Sequence, residues 1–339
     1  VKRMAKGRKR LIPKARRFLL LLLGGLATGN AGCGFVATEN PEKTLRIGYQ
    51  KFGTLSILKA RGTLDKRLEP RGIRVEWIHF PAGPQLLEAM NVGSIDIGHT
   101  GNTPPIFAQA AKTPLLYIAS GIPKPENEAI VVPADSPIRS VRDLRGKKVA
   151  LNKGSNVHYL LLQALKKEGL KYEDIRPVYL PPADARAAFA KGSIDAWAIW
   201  DPYFASAERD LGARILTDAR GYTTNREFIL ASRTCVEEHE DIIRAFLEEL
   251  KQTTDWFNEH PEETARLLSK QIGMDVKTVE KAITRSKYGL VPMDESIVKE
   301  QQQIADAFFE AGLIPENIRV KRAVWFEGEK TSKERKEKR

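Results

Sequence analysis

From residue 44 onward, short apolar runs alternate with longer amphipathic ones. TLRIGYQ at 44–50 reads as a buried strand that leads through KFGT into a helical stretch. KKVALNKGSN, from Lys147, repeats the arrangement with the same kind of exit: Gln or Asn, then Lys, then glycine with a hydroxyl residue. A second repetition is sharper. GSID stands at 93–96 and again at 192–195, each time after an alanine-containing helical run (PQLLEAMNV, DARAAFAKG) and before an apolar strand (IDIGHT, IDAWAIW). Matched flanks around an identical tetrapeptide indicate a duplicated helix–glycine–strand unit, one per lobe.

Strands that alternate with helices predict parallel sheets, and such sheets take ligands at the carboxyl ends of their strands. Four segments then surround one cleft: Gln50 to Thr54, Thr100 to Pro105, Asn152 to His158 and Trp200 to Tyr203. EAIVVP at 128–133 and REFILASR at 226–233 read as two crossovers between lobes. The expected organisation is an α/β protein with two lobes joined by a two-strand hinge: residues 44–132 plus 231–325 form the first lobe, and 133–230 the second. The last third is helical, with patterns at 237–258, 261–272, 275–285 and 294–311, broken at His260-Pro261, Gly273 and Val291-Pro292. Residues 326–339 are charged without periodicity and read as a solvated tail.

The length of 339 residues, 42% of them hydrophobic, suits two such lobes. The formal charge of +12 suggests nucleic acid, but nine basic residues lie before residue 18 with no acid among them. Without that segment the charge is about +3, too little for a surface that tracks phosphates. The basic stretch runs into FLLLLLGGLATGNAG at 18–32, which has the layout of a secretory signal and is short for a membrane span. Residues 1–33 are therefore expected to be a signal peptide and 34–43 a linker, placing the protein in the periplasm or on the outer face of the bacterial membrane. AGC at 31–33 looks like the end of a lipobox, which would make Cys33 a lipidation site, although Asn30 departs from the usual aliphatic residue. The two cysteines, Cys33 and Cys235, provide neither a disulfide framework nor a cysteine-rich metal site.

Three predicted helices begin at the cleft: one at Pro104 after Asn102 and Thr103, one at Ser155 or Asn156, and one at Gly83-Pro84 before Gln85. The first turn of the second helix has no acidic side chain, so its amides are free for an anion. A sulfonate fits such a site because it is permanently ionised and its three oxygens only accept hydrogen bonds. Neutral donors suffice for it: Gln50, Thr100, Asn102, Ser155, Asn156 and backbone N–H groups. No arginine falls in the four loops, which disfavours a multiply charged phosphate, and Lys51 and Lys153 read as solvated. Strand alternation separates Trp197 from Trp200, with Trp200 the one expected at the cleft, where its indole can cover an alkyl chain. Asp201 caps the next helix at Pro202 or faces an amino group of the ligand; His158 reads as a satisfied residue and Phe52 as wall or core.

RIGYQK at 46–51, FPAGPQLLEAMNVGSIDIG at 80–98, TGNTPPIFAQAA at 100–111, NKGSNVHYLLLQALKKEGL at 152–170 and PPADARAAFAKGSIDAWAIWDPYF at 181–204 together resemble the aliphatic sulfonate-binding proteins of ABC importers. The likeness runs from residue 44 to about residue 325. It implies a periplasmic-binding-protein fold of the second type, closure of the lobes on the ligand, and delivery to a membrane permease driven by an ATPase. It places the sulfonate at Gln50, Thr100, Gly101, Ser155, Asn156, Trp200 and Asp201; the helix start adds Gly83 and Gln85, and the loop adds Asn102. Asn102, where family members often carry Asp, and His99 depart from the pattern and bear on the choice of ligand. The expected protein is a monomer without cofactor or metal, acting on an alkanesulfonate and not on nucleic acid, with taurine or nitrate as alternative ligands. The sequence contains no P-loop, metal-spaced His/Glu cluster or nucleophile elbow. The enzyme alternative is a fold relative that makes a pyrimidine precursor.

Overall fold

The computed structural model describes residues 43–326. The expected signal peptide, the lipidation site Cys33, nearly all of the linker and the charged tail past Phe326 lie outside the described residues.

Among the described residues eleven strands form two sheets. They are β1 (Lys43–Tyr49), β2 (Ile73–His79), β3 (Ile97–Gly101), β4 (Leu115–Gly121), β5 (Glu128–Val132), β6 (Lys148–Leu151), β7 (Arg176–Tyr179), β8 (Ala196–Trp200), β9 (Arg214–Asp218), β10 (Glu227–Ser232) and β11 (Leu290–Val291). The first sheet runs β2-β1-β3-β10-β4-β11, the second β7-β6-β8-β5-β9. Reading the two orders together aligns β2 with β7, β1 with β6, β3 with β8, β10 with β5 and β4 with β9, so the duplication seen in GSID extends to whole sheets.

The GSID corners show why the tetrapeptide recurs. In each copy the glycine takes a left-handed conformation (Gly93 φ 71°, Gly192 φ 65°), which ends the preceding helix and which a residue with a Cβ rarely adopts. The serine amide then bonds back into that helix (Ser94 N to Ala89 O, 2.8 Å; Ser193 N to Ala188 O, 2.9 Å). The isoleucine is buried, and the aspartate accepts a backbone N–H from the neighbouring parallel strand: Arg46 N to Asp96 at 2.8 Å, Lys148 N to Asp195 at 2.7 Å. Asp96 also receives the Arg46 guanidinium at 2.7 Å, a contact the second copy lacks because a lysine replaces the arginine.

Two expectations need correction. The sheets are mixed: β1, β2 and β3 are parallel, as are β6, β7 and β8, but β10 and β5 run antiparallel to their neighbours. The reason is also the second correction. The run at 128–132, assigned from sequence to the end of the first lobe, is β5 and pairs in the second sheet. β10, whose first four residues were assigned to the second lobe, pairs in the first sheet. Each half therefore inserts one strand into the other's sheet, entering from the opposite end. The two chain crossings precede these strands, at 122–127 and 219–226, and are tied side by side by Lys124 N to Thr224 O (2.8 Å) and Asn225 Nδ2 to Lys124 O (2.9 Å).

The helices Glu240–Glu259, Pro261–Ile272, Val276–Thr284 and Glu295–Glu310 stand close to the bounds read from periodicity. Asp275 and Asp294 cap the last two by accepting from Thr278 N and Ile297 N. The helix Val276–Thr284 packs on Tyr203–Asp210 of the second half, so the C-terminal third touches both halves.

Candidate functional site

The carboxyl ends of β1 and β3, the starts of the helices that follow β2 and β6, and the carboxyl end of β8 meet the two crossings around one cavity of about 70 Å3. That is space for roughly five water-sized positions. Of the residues expected there, Gln50, Gly83, Gly101, Ser155, Asn156, Trp200 and Asp201 line the cavity, together with Phe52.

The other three do not. Thr100 is fully buried and its hydroxyl donates to the Gly101 carbonyl at 2.9 Å. Asn102 is fully buried; its side-chain amide donates to Thr223 Oγ1 at 3.2 Å and its backbone carbonyl accepts from Gln301 at 2.5 Å. Gln85 Oε1 is enclosed without a partner among the described residues. Thr100 and Asn102 are buried away from the cleft, because strand periodicity turns alternate positions away from it.

The helix starts differ from one another. Ser155 is extended (φ −91°, ψ 172°) and no acid occupies the first turn of Asn156–Lys167, so the amides of Asn156 and Val157 are at positions without an intrahelical acceptor. The Ser155 hydroxyl is turned back onto Asn152 O at 2.7 Å. Gly83–Asn91 likewise has no acid in its first turn, and its N-cap is Ala82. Gly83 is required by close approach, since a Cβ there would stand 2.9 Å from Pro104 and 3.0 Å from Thr100. The third start, Pro104–Ala110, falls short of expectation: Pro104 and Pro105 have no N–H, and Ile106 N already bonds to Thr103 O at 3.0 Å.

The halves close on each other at Gly101, where an added Cβ would lie 1.8–2.2 Å from the Asn156 side chain. Asn156 Nδ2 in turn donates to Asn225 Oδ1 at 2.6 Å, on the second crossing. His158, two residues further along, is fully buried; its Nδ1 accepts from Gly154 N at 3.2 Å, and its ring stacks on Phe107 of the other half at 6.3 Å. Burial pushes it down to about 4, so it is neutral at ordinary pH and serves packing between the halves.

Alternation along β8 sorts the tryptophans: Trp197 is 1% exposed and packs near Phe189, while Trp200 is half-buried at the cavity. Asp201, expected either to cap the next helix or to face an amino group of the ligand, bonds to that helix and pairs with an arginine of the protein. It accepts from Ala205 N at 3.0 Å and pairs with Arg285 Nε at 2.8 Å, and Arg285 also reaches Glu208 at 2.7 Å. Burial raises Asp201 to about 7 against the pull of Arg285.

Sequence reasoning missed Lys124, Asn127, Asn225, Glu227 and Tyr288, which also line the cavity. The expectation of a cleft without cationic side chains is corrected by Lys124. Its ammonium pairs with Glu227 at 2.9 Å and lies 4.0 Å from the Tyr288 ring centroid. Burial works against ionisation of Glu227, but Lys124, with His99, holds it below its ordinary value. Four of these residues sit on or beside the crossings at 122–127 and 219–226, whereas the segments expected to cross were 128–133 and 226–233, and strand-end reasoning looks elsewhere.

A family model described as NMT1/THI5 like matches residues 69–264. The chain belongs to the NMT1/THI5-like family. Within that family it is 41% identical over 312 residues to an Escherichia coli (strain K12) protein named for binding aliphatic sulfonates, covering 91% of this chain and 97% of that one. The solved alkanesulfonate-binding protein SsuA from Xanthomonas axonopodis pv. citri, bound to MOPS, superposes with a TM-score of 0.80 at 41% identity, covering 83% of this chain and 98% of that one. The taurine-binding periplasmic protein of Escherichia coli (strain K12) is more distant, 28% identical over 222 residues, covering 64% of this chain and 67% of its own. The architecture is that of these periplasmic binding proteins, two sheets about one cavity. Among the described residues no helix is long and apolar enough to cross a membrane.

Proposed function

We propose that this chain is the extracytoplasmic solute-binding component of an ABC importer, capturing aliphatic sulfonates for sulfur acquisition and delivering them, as a monomer, to a membrane permease and its ATPase. The observation that carries the reading is a single cavity lined by both halves, in which the open start of Asn156–Lys167 faces an aromatic side chain, Trp200. The 41% identity to a relative named for aliphatic sulfonates, over nearly its whole length, supports the same class of ligand.

The sulfonate oxygens accept from the Asn156 and Val157 amides, the Gly83 start and the Gln50 side chain, with Gly101 allowing the close approach of Asn156. The alkyl part lies along Trp200 and Phe52. Closure brings the second half onto the first by bending at 122–127 and 219–226, and no bond in the ligand is broken.

Calorimetric titration with ethanesulfonate, taurine, nitrate and sulfate tests this. Ethanesulfonate is expected to bind most tightly, and equal or tighter binding of nitrate overturns the assignment. Trp200→Ala is expected to weaken binding of long-chain sulfonates about tenfold more than binding of methanesulfonate; equal losses would remove the alkyl chain from the indole. In Gly101→Ala, Asn156 is displaced and affinity for every sulfonate falls by about tenfold.

A further inference from the structure

Among the described residues three side chains that carry charge line the cavity, Lys124, Asp201 and Glu227, while the Tyr288 phenol beside them is held neutral by burial. Asp201 is neutralised from behind the wall by Arg285, at 2.8 Å. That leaves one cation and one anion facing the guest, held against each other at 2.9 Å. We infer that Glu227 sets the charge limit of this site, cancelling Lys124 so that a monoanionic sulfonate is admitted and a dianion such as sulfate is refused. The inference rests on the sulfonate-binding reading and assigns the discrimination to one residue.

Glu227 is built for this. One carboxylate oxygen is taken by Lys124, and among the described residues no donor reaches the other, while 33% of the side chain stays accessible in the cavity. Its position is rigid: it opens β10 directly opposite Gly101 in the antiparallel ladder, beside the closing contact with Asn156. Lys124 is equally fixed. Its side chain is only 6% exposed, its backbone is bonded to Thr224 and Asn225, and Tyr288, which covers its ammonium, is held by two hydrogen bonds to Asn258 at 2.7 and 3.0 Å. Both partners sit at the crossings, so the pair stays together when the halves move, and an entering anion meets a cation whose charge is already met. Amide dipoles then supply the attraction for one negative charge, and a second finds only the free oxygen of Glu227.

The electrostatic effect of removing one charge scales with the charge of the guest, which separates this inference from a packing role. In Glu227→Gln, ethanesulfonate is expected to bind about tenfold tighter and sulfate about a hundredfold tighter, so the preference for sulfonate over sulfate falls about tenfold. Calorimetry reads the first, and displacement of ethanesulfonate by sulfate reads the second. Glu227→Asp keeps the wild-type ratio, and Lys124→Met combined with Glu227→Gln brings it back. Glu227→Leu gives the same reading as Glu227→Gln if the latter folds poorly by thermal melting. An unchanged ratio in the neutral variants, or equal weakening of both ligands, overturns the inference. Failure of the wild-type protein to bind ethanesulfonate would instead remove the sulfonate reading itself.

Discussion

Glu227 and Glu128 occupy the same place in the two halves. They are 99 residues apart, the spacing of the two GSID motifs, and each opens the strand that its half inserts into the other's sheet. Each stands opposite the last residue of the neighbouring strand, Gly101 for Glu227 and Trp200 for Glu128. The ladders even share an irregularity, a register shift between Ile229 and Leu230 in one and between Ile130 and Val131 in the other. The chemistry diverges completely. Gly101 has no side chain of its own and the Asn156 amide takes that space, so beside it Glu227 opens on the cavity and meets Lys124. Opposite Glu128 the Trp200 indole stands on the same face of the ladder; Glu128 is fully buried and among the described residues neither carboxylate oxygen has a partner. Burial alone pushes it up to about 8. The next residues along the strand ends repeat the lesson: Asn102 is neutral and needs no counter-charge, while its equivalent Asp201 takes Arg285 from the C-terminal third. A duplicated backbone fixes where a side chain stands, and its neighbours decide whether it is ionised.

The largest effect is expected at Arg285. Arg285→Ala leaves Asp201 and Glu208 without their shared cation in a buried setting, and is expected to cost about 3 kcal/mol in urea denaturation at pH 8. Lowering the pH toward 5 should recover part of that loss, since Asp201 then takes a proton; a loss independent of pH would mean that Asp201 does not depend on Arg285 for its charge.

A smaller effect separates the two glutamates. The folded value of Glu128 lies above its ordinary 4.5, so the folded state holds the proton between about 4.5 and about 8, and stability falls as pH rises through that window. Asp201 adds a slope of the same sign between 3.8 and about 7. Glu128→Gln should flatten the first of these slopes, stabilising the protein by on the order of 2 kcal/mol at pH 9 and hardly at pH 4.5. Equal stabilisation at both pH values would show that Glu128 is not held neutral by burial.

The least difference is expected at the GSID corners. Asp96→Ala loses a backbone acceptor and a guanidinium partner, Asp195→Ala only the acceptor, so the first should cost about 1 kcal/mol more than the second in the same denaturation assay. Equal costs would mean that Arg46 adds nothing to the corner.

Much of this was legible in advance. The GSID repeat announced the duplication because a left-handed glycine, a buried isoleucine and an acceptor aspartate all follow from local rules that act within a few residues. Gln50, Gly83, Gly101, Ser155, Asn156, Trp200 and Asp201 could be placed at the cavity wall because strand ends and helix starts are periodic features. Thr100, Asn102 and Gln85 were expected at the cavity and do not line it, since reading a loop residue by residue does not say which side chains turn outward.

The sequence by itself determined the two-lobed α/β plan, the paired helix starts and the separation of Trp197 from Trp200, because hydrophobic period and glycine conformation are local properties. Only the tertiary structure decided that each half lends a strand to the other, and therefore that Lys124, Asn225 and Glu227 meet at the cavity from crossings about a hundred residues apart. Charge pairing is a matter of distance in space, and no pattern along the chain encodes which lysine will stand beside which glutamate.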